Sequence, residues 1–189
     1  MFLLNSMRGV ARKYCLTANT IRYTIEYRML KELIGLLPEG KLGGTVLDAG
    51  AGSGEMSKRL QEDGCCDALI GVEPFENNFR ILSQNYGGHP GRRFVQSDLE
   101  SLPVGDGEVD ALMSTQVFEH IEDDVAAARE VARVVRAGGH ALISTPHPPE
   151  LFPNDGHVRP GYTVDEMRAL FEPLGFEFVD QRYFFTKQT

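Results

Sequence analysis

The sequence predicts an α/β fold with one doubly wound, mostly parallel β-sheet and helices on both of its faces. Two observations predict it. Short apolar runs typical of buried strands alternate along the chain with longer segments of helical period. One such run, Thr45 to Leu47, ends at Asp48 and enters the glycine cluster GAGSG, from which a helix departs. Right-handed connections would place the second and third strands on one side of the first strand, and the fourth and fifth on the other.

The chain length of 189 residues suits one domain with a sizeable core. We divide it into an N-terminal arm and helix, residues 1–41, expected to act as a lid, and a main domain, residues 42–189. No stretch approaches the roughly 18 apolar residues of a membrane span, and the first residues lack the apolar region of a signal peptide. We therefore expect a cytoplasmic protein without a membrane partner. Its cysteines, Cys15, Cys65 and Cys66, match neither a disulfide framework nor zinc spacing, which predicts reduced thiols.

The net charge of −8 argues against a nucleic-acid partner. The charge is uneven, because residues 1–41 hold seven Lys or Arg against three Glu, a balance of +4 that leaves −12 for the remainder. Such a basic arm is compatible with attraction of an acidic substrate and equally with a solvated helix face.

Helical period and strand-like runs define the elements of the first half. Apolar residues recur every fourth position from Ile25 to Leu37, which predicts an amphipathic helix that Pro38 and Gly40 end. The predicted elements are the helix Thr20 to Leu37, the strand Thr45 to Leu47, the helix Glu55 to Asp63, the strand Leu69 to Glu73 and the helix Asn77 to Asn85.

Capping signals help to place the later helices. Asp123 and Asp124 can cap a helix that Gly138 ends, and Thr163 with Glu166 forms the pattern of a capping box. The predicted elements are the strand Phe94 to Gln96, the strand Val109 to Ser114, a helix from Asp124 to Ala137, the strand His140 to Thr145, a helix after Thr163 and a sixth strand, Phe176 to Phe185. Between the last two, residues 146–161 contain five prolines and no period, which predicts a loop of the kind that is usually functional or disordered.

Polar residues end the predicted strands. In a doubly wound sheet the ligand crevice opens at the carboxyl ends of the strands, where the strand order reverses. The side chains expected at that edge are Asp48, Glu73, Asp98, Ser114 and Thr145.

The glycine cluster predicts a nucleotide cradle, because Gly50, Gly52 and Gly54 allow positive φ and close approach of the backbone to a ligand. A dinucleotide fingerprint, G-x-G-x-x-G, would place its third glycine at Glu55 or Ser57, so the match to NAD is poor. The pattern D-x-G-x-G-x-G, read from Asp48, instead resembles the first motif of the class I S-adenosylmethionine-dependent methyltransferases.

A second stretch carries the same resemblance. The segments DALMSTQVFEHIEDD and EVARVVRAGGHALISTP are similar to the fourth strand, active-site turn, helix and fifth strand of the small-molecule, type 11-like branch of that family. The resemblance covers about residues 42–178 and implies a Rossmann-like fold. Only Thr186 to Thr189 follow the sixth predicted strand, so we expect either that the usual final antiparallel strand is lacking or that the chain is a piece of a longer protein.

The resemblance also implies where the cofactor S-adenosylmethionine would bind. Glu73 lies nineteen residues after Gly54, a place and charge suited to ribose hydroxyls, although this feature alone fits NAD as well. The implied contacts are Asp48, Ala49, Gly50 and Gly52 at the methionine moiety, Glu73 and Pro74 at the ribose, Asp98 and Leu99 at the adenine, and Thr115 and Gln116 near the sulfonium.

Methyl transfer from a sulfonium is an in-line displacement, so alignment and exclusion of water are the main demands on the protein. If the acceptor is a hydroxyl, His120 and Glu119 are the first candidates for a base, and His147 and His157 the second. We expect no metal, because the acids near the site are assigned to the cofactor and no histidine pair shows ligand spacing.

The acceptor is expected beneath two lids, Arg8 to Tyr27 and Pro146 to Tyr162. Aromatic and charged side chains in these segments could stack on, or pair with, a small molecule. The candidates are Tyr14, Tyr23, Tyr27, His157 and Arg159.

The sequence thus predicts a monomeric or homodimeric S-adenosylmethionine-dependent methyltransferase that acts on a small molecule. Two alternatives stay open. One is a methyltransferase-like protein that holds the cofactor without catalysis or supports a partner subunit. The other is an NAD-dependent oxidoreductase.

Overall fold

A computed structural model of the chain describes residues 18–149 and 155–183. Within them five strands form one sheet in the order β3-β2-β1-β4-β5, and every neighbouring pair is parallel. The strands are β1 Gly43–Ala49, β2 Cys66–Val72, β3 Arg92–Val95, β4 Val109–Thr115 and β5 Val135–Ser144. The predicted strand order on the two sides of β1 is therefore confirmed.

Helices connect the strands, as the alternation in the sequence predicted, except between β3 and β4, where residues 96–108 form a loop. The α-helices are α1 Ala18–Ile34, α2 Glu55–Glu62, α3 Glu76–Tyr86, α4 Asp124–Val134 and α5 Val164–Phe171. Short 3₁₀ turns lie at Pro38–Gly40, Phe118–His120 and Glu172–Leu174.

The alternation of side chains along β1 builds a core on each face of the sheet. Val46 packs with Leu30 and Ile34 of α1, whereas its neighbour Leu47 belongs to the opposite core with Phe118. The first core also receives Met56 and Leu60 of α2, and the second receives Val131 of α4 and Phe171 of α5. Both faces of the sheet are thus covered, which is why its strands read as continuous apolar runs.

The predicted N-terminal caps of α4 and α5 are confirmed. The carboxylate of Asp123 accepts a hydrogen bond from the backbone N–H of Ala126 at 2.9 Å. Thr163 and Glu166 form both halves of a capping box at the start of α5.

The predicted end of α4 is wrong. The helix ends at Val134 rather than Ala137, and β5 begins at Val135 rather than His140. Val135 is buried and pairs with Val109, so the sheet takes it up as strand. The pairing between β4 and β5 then shifts register before His140, where Gly138 has a φ of 72°. Sheet pairing here overrides the glycine that the sequence suggested as a helix stop.

The predicted sixth strand is also wrong over the residues that the structure describes. Residues 176–183 do not join the sheet; Phe178 and Tyr183 are exposed, and Val179 is 69% exposed. Phe176 instead packs its ring edge-on against Phe171, at 5.7 Å between centroids. An alternating apolar pattern needs a neighbouring strand to become a strand, and this segment pairs with none. Phe184 and Phe185 lie outside the described residues.

No helix in the described part of the chain has the length and apolarity needed to cross a membrane. Cys65 and Cys66 are buried free thiols, and burial raises the pKa of Cys66 to about 11. Cys15 lies outside the described residues.

The packing of α1 against the sheet should contribute to the stability of the whole domain. Ile34 is fully buried against β1 and α2, so Ile34→Ala should lower the free energy of unfolding by about 2 to 5 kcal/mol. Leu36, 52% exposed just beyond the helix, is the matched control, and Leu36→Ala should change stability by less than about 0.5 kcal/mol. Urea denaturation measures both. Equal effects would show that α1 is not part of the cooperative unit.

Candidate active site

The glycine loop between β1 and α2 is pressed against the sheet. The backbone N–H groups of Gly50 and Ala51 both donate to the carbonyl of Val72, at 2.8 and 2.9 Å. Gly50 has a φ of 81°, and a Cβ there would collide with Val117, the second residue after β4. The loop therefore lies directly beside the end of β4.

Two glycines of this loop serve different purposes. Gly52 has a φ of 56°, and a Cβ there would have no protein atom within 4 Å, so it faces open space. Gly54 has a φ of 84°, but a Cβ there would lie 2.5 Å from Leu82 and 2.7 Å from Tyr86 of α3. Gly54 thus permits helix packing, whereas Gly52 leaves room at the surface where a ligand would bind.

Glu73, the residue after β2, is 3% exposed and ties the glycine loop to the sheet. Its Oε2 accepts from the N–H of Gly52 at 2.8 Å. Its Oε1 accepts from the N–H of Phe75 at 3.1 Å and from the amide of Asn78 at 3.3 Å. A carboxylate has about four acceptor positions, so capacity remains for a ligand hydroxyl.

Asp48 is a buried acid that is only half satisfied. It is 1% exposed, and the Ser57 hydroxyl donates to its Oδ2. Its Oδ1 is buried without a hydrogen-bond partner among the described residues. Burial raises the pKa of Asp48 to about 7, the Ser57 hydrogen bond opposes that rise, and the negative charge of Glu73 adds to it. A cationic ligand would supply the missing partner.

A hydrogen-bonded network joins the ends of β4 and β5 to α1. Gln116, with a φ of 57°, donates from its backbone N–H to the Ser144 carbonyl at 2.8 Å and from its amide to the Ser144 hydroxyl at 2.7 Å. The Ser144 hydroxyl in turn donates to Oε1 of Glu26, which is 3% exposed.

Sequence reasoning missed Glu26, Ser57 and Ser144. The signal for Glu26 was available, because it lies between Tyr23 and Leu30 on the apolar face of the predicted helix. An acid on such a face is unusual.

The proposed adenine side of the crevice is more open. Asp98 and Pro74 are exposed, whereas Leu99 is buried in the core. Phe75 beside them is 70% exposed. The other predicted cofactor residues, Ala49 and Thr115, end β1 and β4 at the same edge of the sheet.

Three candidate acid–base residues meet at a second cluster. Nδ1 of His120 lies 2.8 Å from the carbonyl of Gly156, to which it would donate, and the His120 and His157 rings meet edge-on at 4.6 Å between centroids. Glu119 is fully buried beside them, and its carbonyl accepts from the N–H of Val158 at 2.9 Å.

One ligand atom from each of Glu119, His120 and His157 lies within 4.8 Å of the others, so the group could hold a metal. The tertiary structure, not sequence spacing, brings these residues together. The spacing argument against a metal therefore carries no weight, and the absence of a metal stays a prediction.

Other predicted residues lie apart from these clusters. The His147 ring packs against Tyr183 at 5.4 Å. The Tyr27 hydroxyl donates to the Arg59 carbonyl at 3.0 Å and to Asp63 at 2.7 Å, at the end of α2 remote from the glycine loop. Tyr23 packs against the α1 core, and Tyr14 lies outside the described residues.

Arg159 ties the loop after β5 to the domain. It pairs with Asp124, donates to the carbonyls of Ile121 and Glu122 at 2.8 and 3.1 Å, and stacks over Tyr162 at 5.3 Å. A shallow cavity of about 560 Å³ lies beside it, but no glycine-loop residue lines that cavity. The polar side chains of Asp48, Glu73 and Gln116 lie instead at the carboxyl ends of the strands.

Comparisons with known proteins agree with this geometry. Residues 47–143 match a family model described as a methyltransferase domain. A probable S-adenosylmethionine-dependent methyltransferase of Mycobacterium tuberculosis is 32% identical over 69% of this chain and 48% of its own length. The YcgJ protein of Bacillus subtilis superimposes with a TM-score of 0.59 at 26% identity, over 71% of this chain and 62% of that one.

A phosphoethanolamine N-methyltransferase of Haemonchus contortus, solved with S-adenosyl-L-methionine, shares the fold with a TM-score of 0.67 at 16% identity, over 79% of this chain and 36% of that one. The chain spans less than half the length of the curated relatives it matches. Because the family model covers more than half of the 189 residues, this chain belongs to the methyltransferase-domain family.

Proposed function

We propose that this protein is an S-adenosylmethionine-dependent methyltransferase with a small-molecule acceptor. The observation that carries the proposal is the half-satisfied acid Asp48 at the base of a glycine loop whose central glycine faces open space. S-adenosylmethionine has an α-ammonium group to pair with such an acid and a ribose diol to bind a second acid. The name of the M. tuberculosis relative supports the same cofactor.

The residues present fit this cofactor. Asp48 offers its unpaired oxygen to a cation, and Glu73 has remaining capacity for hydroxyl donors. The proposed binding residues are Asp48, Ala49, Gly50 and Gly52 for the methionine moiety, Glu73 and Pro74 for the ribose, Asp98 and Leu99 for the adenine, and Thr115 and Gln116 near the sulfonium.

When bound, the cofactor supplies a methyl group activated by a positive sulfur. The protein aligns an acceptor with that methyl, excludes water and, for a hydroxyl acceptor, receives a proton. His120 suits the last task, because donation from its Nδ1 to the Gly156 carbonyl would leave Nε2 unprotonated in the neutral ring. Glu119 would stabilise the resulting imidazolium. His147 and His157 remain the second candidates.

We propose that two lids, residues 8–27 and 146–162, cover the acceptor. Residues 1–41 would form the arm and helix that carry the first lid, and residues 42–189 would form the catalytic domain. Tyr14, Tyr23, Tyr27, His157 and Arg159 remain candidates for acceptor contacts. The contacts of Tyr27 with α2 and of Arg159 with Asp124 favour a structural role for these two.

A second candidate function is a cofactor-binding protein that supports a partner without catalysis. The observation that favours it is the extent of the similarity, which covers less than half the length of these curated relatives. An NAD-dependent oxidoreductase is disfavoured because α2 begins at Glu55, where the dinucleotide fingerprint counted from Gly50 would need a glycine.

Transfer of labelled methyl from S-adenosylmethionine to a small-molecule extract tests the enzymatic proposal. Time-dependent appearance of label in a new compound is the expected result. Cofactor binding without transfer to any compound would favour the non-catalytic alternative, and binding of NAD alone would contradict both. Repeating the assay after chelation tests the prediction that no metal is needed.

Glu73→Ala should weaken S-adenosylmethionine binding by about 1 to 3 kcal/mol, because the ribose hydroxyls lose a charged acceptor and the glycine loop loses its tie. Calorimetry measures the affinity. Glu76→Ala, in the first turn of α3, is a nearby control that should leave it unchanged. An unchanged affinity in Glu73→Ala would contradict the ribose assignment.

Gly52→Ala and Gly54→Ala should separate cofactor binding from stability. Gly52→Ala introduces strain of about 1 to 2 kcal/mol and fills the open space of the cradle, so affinity should fall at least about tenfold. Gly54→Ala adds a clash with α3 and should cost about 2 to 5 kcal/mol of stability. Calorimetry and thermal unfolding of both variants provide the measurements. Unchanged affinity in a folded Gly52→Ala would place the cofactor elsewhere.

A further inference from the structure

Two buried carboxylates with an unpaired oxygen lie at the carboxyl edge of the sheet, and the proposed function has used only one of them. The first is Asp48. The second is Glu26 of α1, whose Oε2 is buried without a hydrogen-bond partner among the residues described. A buried carboxylate oxygen without a partner costs free energy unless a ligand or a cation completes it.

The position of Glu26 is fixed by the sheet. Its Oε1 accepts from the Ser144 hydroxyl, which itself accepts from the Gln116 amide at 2.7 Å. Gln116 is a non-glycine residue at a φ of 57°, a sparsely populated conformation that its backbone bond to Ser144 holds in place. Hydrogen bonds to residues at the ends of β4 and β5 thus hold the Glu26 carboxylate in one position.

The surroundings of Glu26 offset the cost of its burial only in part. Burial raises the pKa of Glu26, and the Ser144 hydrogen bond, the charge of Arg22 and the side chain of Gln116 oppose that rise. Arg22 lies one turn earlier in α1, and its own Nε is buried without a partner among the described residues. Arg22 therefore attracts Glu26 through space while Oε2 stays unbonded.

The network of Glu26, Ser144 and Gln116 lies next to the glycine loop that would hold the cofactor. Gln116 is adjacent in sequence to Val117, the side chain that excludes a Cβ at Gly50. The strand order reverses between β1 and β4, so the crevice opens between the glycine loop and this network. With the adenosine on the β2 side, at Glu73, the reactive end of the cofactor is directed toward the β4 side.

We propose that Glu26 is the counter-charge of the cofactor's sulfonium and thereby distinguishes the charged methyl donor from its neutral product. This inference rests on the proposed function. In the transfer the methyl–sulfur bond breaks, its electron pair stays on sulfur, and the methyl forms a new bond to the acceptor. The sulfur becomes a neutral thioether, so the attraction of Glu26 is lost at the moment the product forms.

The attraction acts on the donor before transfer, so it strengthens binding and does not accelerate the chemical step. The attraction instead favours replacement of the product by a new methyl donor, because Glu26 attracts the charged sulfur of S-adenosylmethionine and not the neutral sulfur of S-adenosylhomocysteine. Glu26 is accordingly a specificity-determining residue for the cofactor.

Glu26→Gln tests this role with three ligands, measured by calorimetry. S-adenosylmethionine carries the sulfonium, sinefungin carries an amine at the same position, and S-adenosylhomocysteine carries neither charge. The variant should bind the two cationic ligands about 10-fold or more weakly and the neutral one within about 2-fold of the parent protein. Glu32→Gln, on the same helix but in an exposed ion pair with Arg28, should change none of the three.

Each other outcome overturns the assignment. Equal weakening of all three ligands would show that Glu26 supports the whole pocket. Unchanged affinity for all three would show that Glu26 does not contact the cofactor, so that its unpaired oxygen would face the acceptor instead. If the parent protein binds none of the ligands, the proposed function fails as well. Should Glu26→Gln not fold, Glu26→Asp retains the charge on a shorter side chain. It should lose affinity for the cationic ligands selectively, and a non-selective loss would equally contradict the proposal.

Discussion

The hydrogen bond from the Gly52 N–H to Glu73 holds the candidate site together, because it joins the glycine loop after β1 to the end of β2. Glu73 can make this bond only because parallel pairing places the ends of β1 and β2 side by side. The loop in turn sets the start of α2, and Gly54 lets α2 approach α3. One buried carboxylate therefore fixes the shape of the open turn at Gly52 and the packing of the helices behind it.

Burial of acids at one edge gives the site its electrostatic character. Asp48, Glu73 and Glu26 are each at most 3% exposed. Glu73 is satisfied by backbone and amide donors, whereas Asp48 and Glu26 each keep one unpaired oxygen among the described residues. Desolvated carboxylates of this kind prefer a cationic ligand to water or to an anion. The edge of the sheet therefore favours a cationic group over an anion such as a pyrophosphate.

The segment after β5 closes the opposite side of the sheet end. His120 and His157 meet there, and Arg159 fixes the segment to the start of α4 through Asp124. Tyr162 adds a hydrogen bond to Asp124 at 2.8 Å and packs edge-on against Phe118. Residues 37 positions apart in sequence thereby form one cluster, and a change in either segment affects the geometry of both histidines.

The sequence by itself determined the order of strands and helices, the glycine loop and the acids near the carboxyl ends of β1 and β2. These features depend on local chemistry, since apolar period, capping residues and glycine conformations act within a few positions. It did not determine where α4 gives way to β5, because Val135 becomes strand only by pairing with Val109. Nor did it determine residues 176–183, whose alternating pattern finds no partner strand. The Glu26–Ser144–Gln116 network and the meeting of His120 with His157 were likewise decided by tertiary structure, because each joins residues from segments that only the folded sheet brings together.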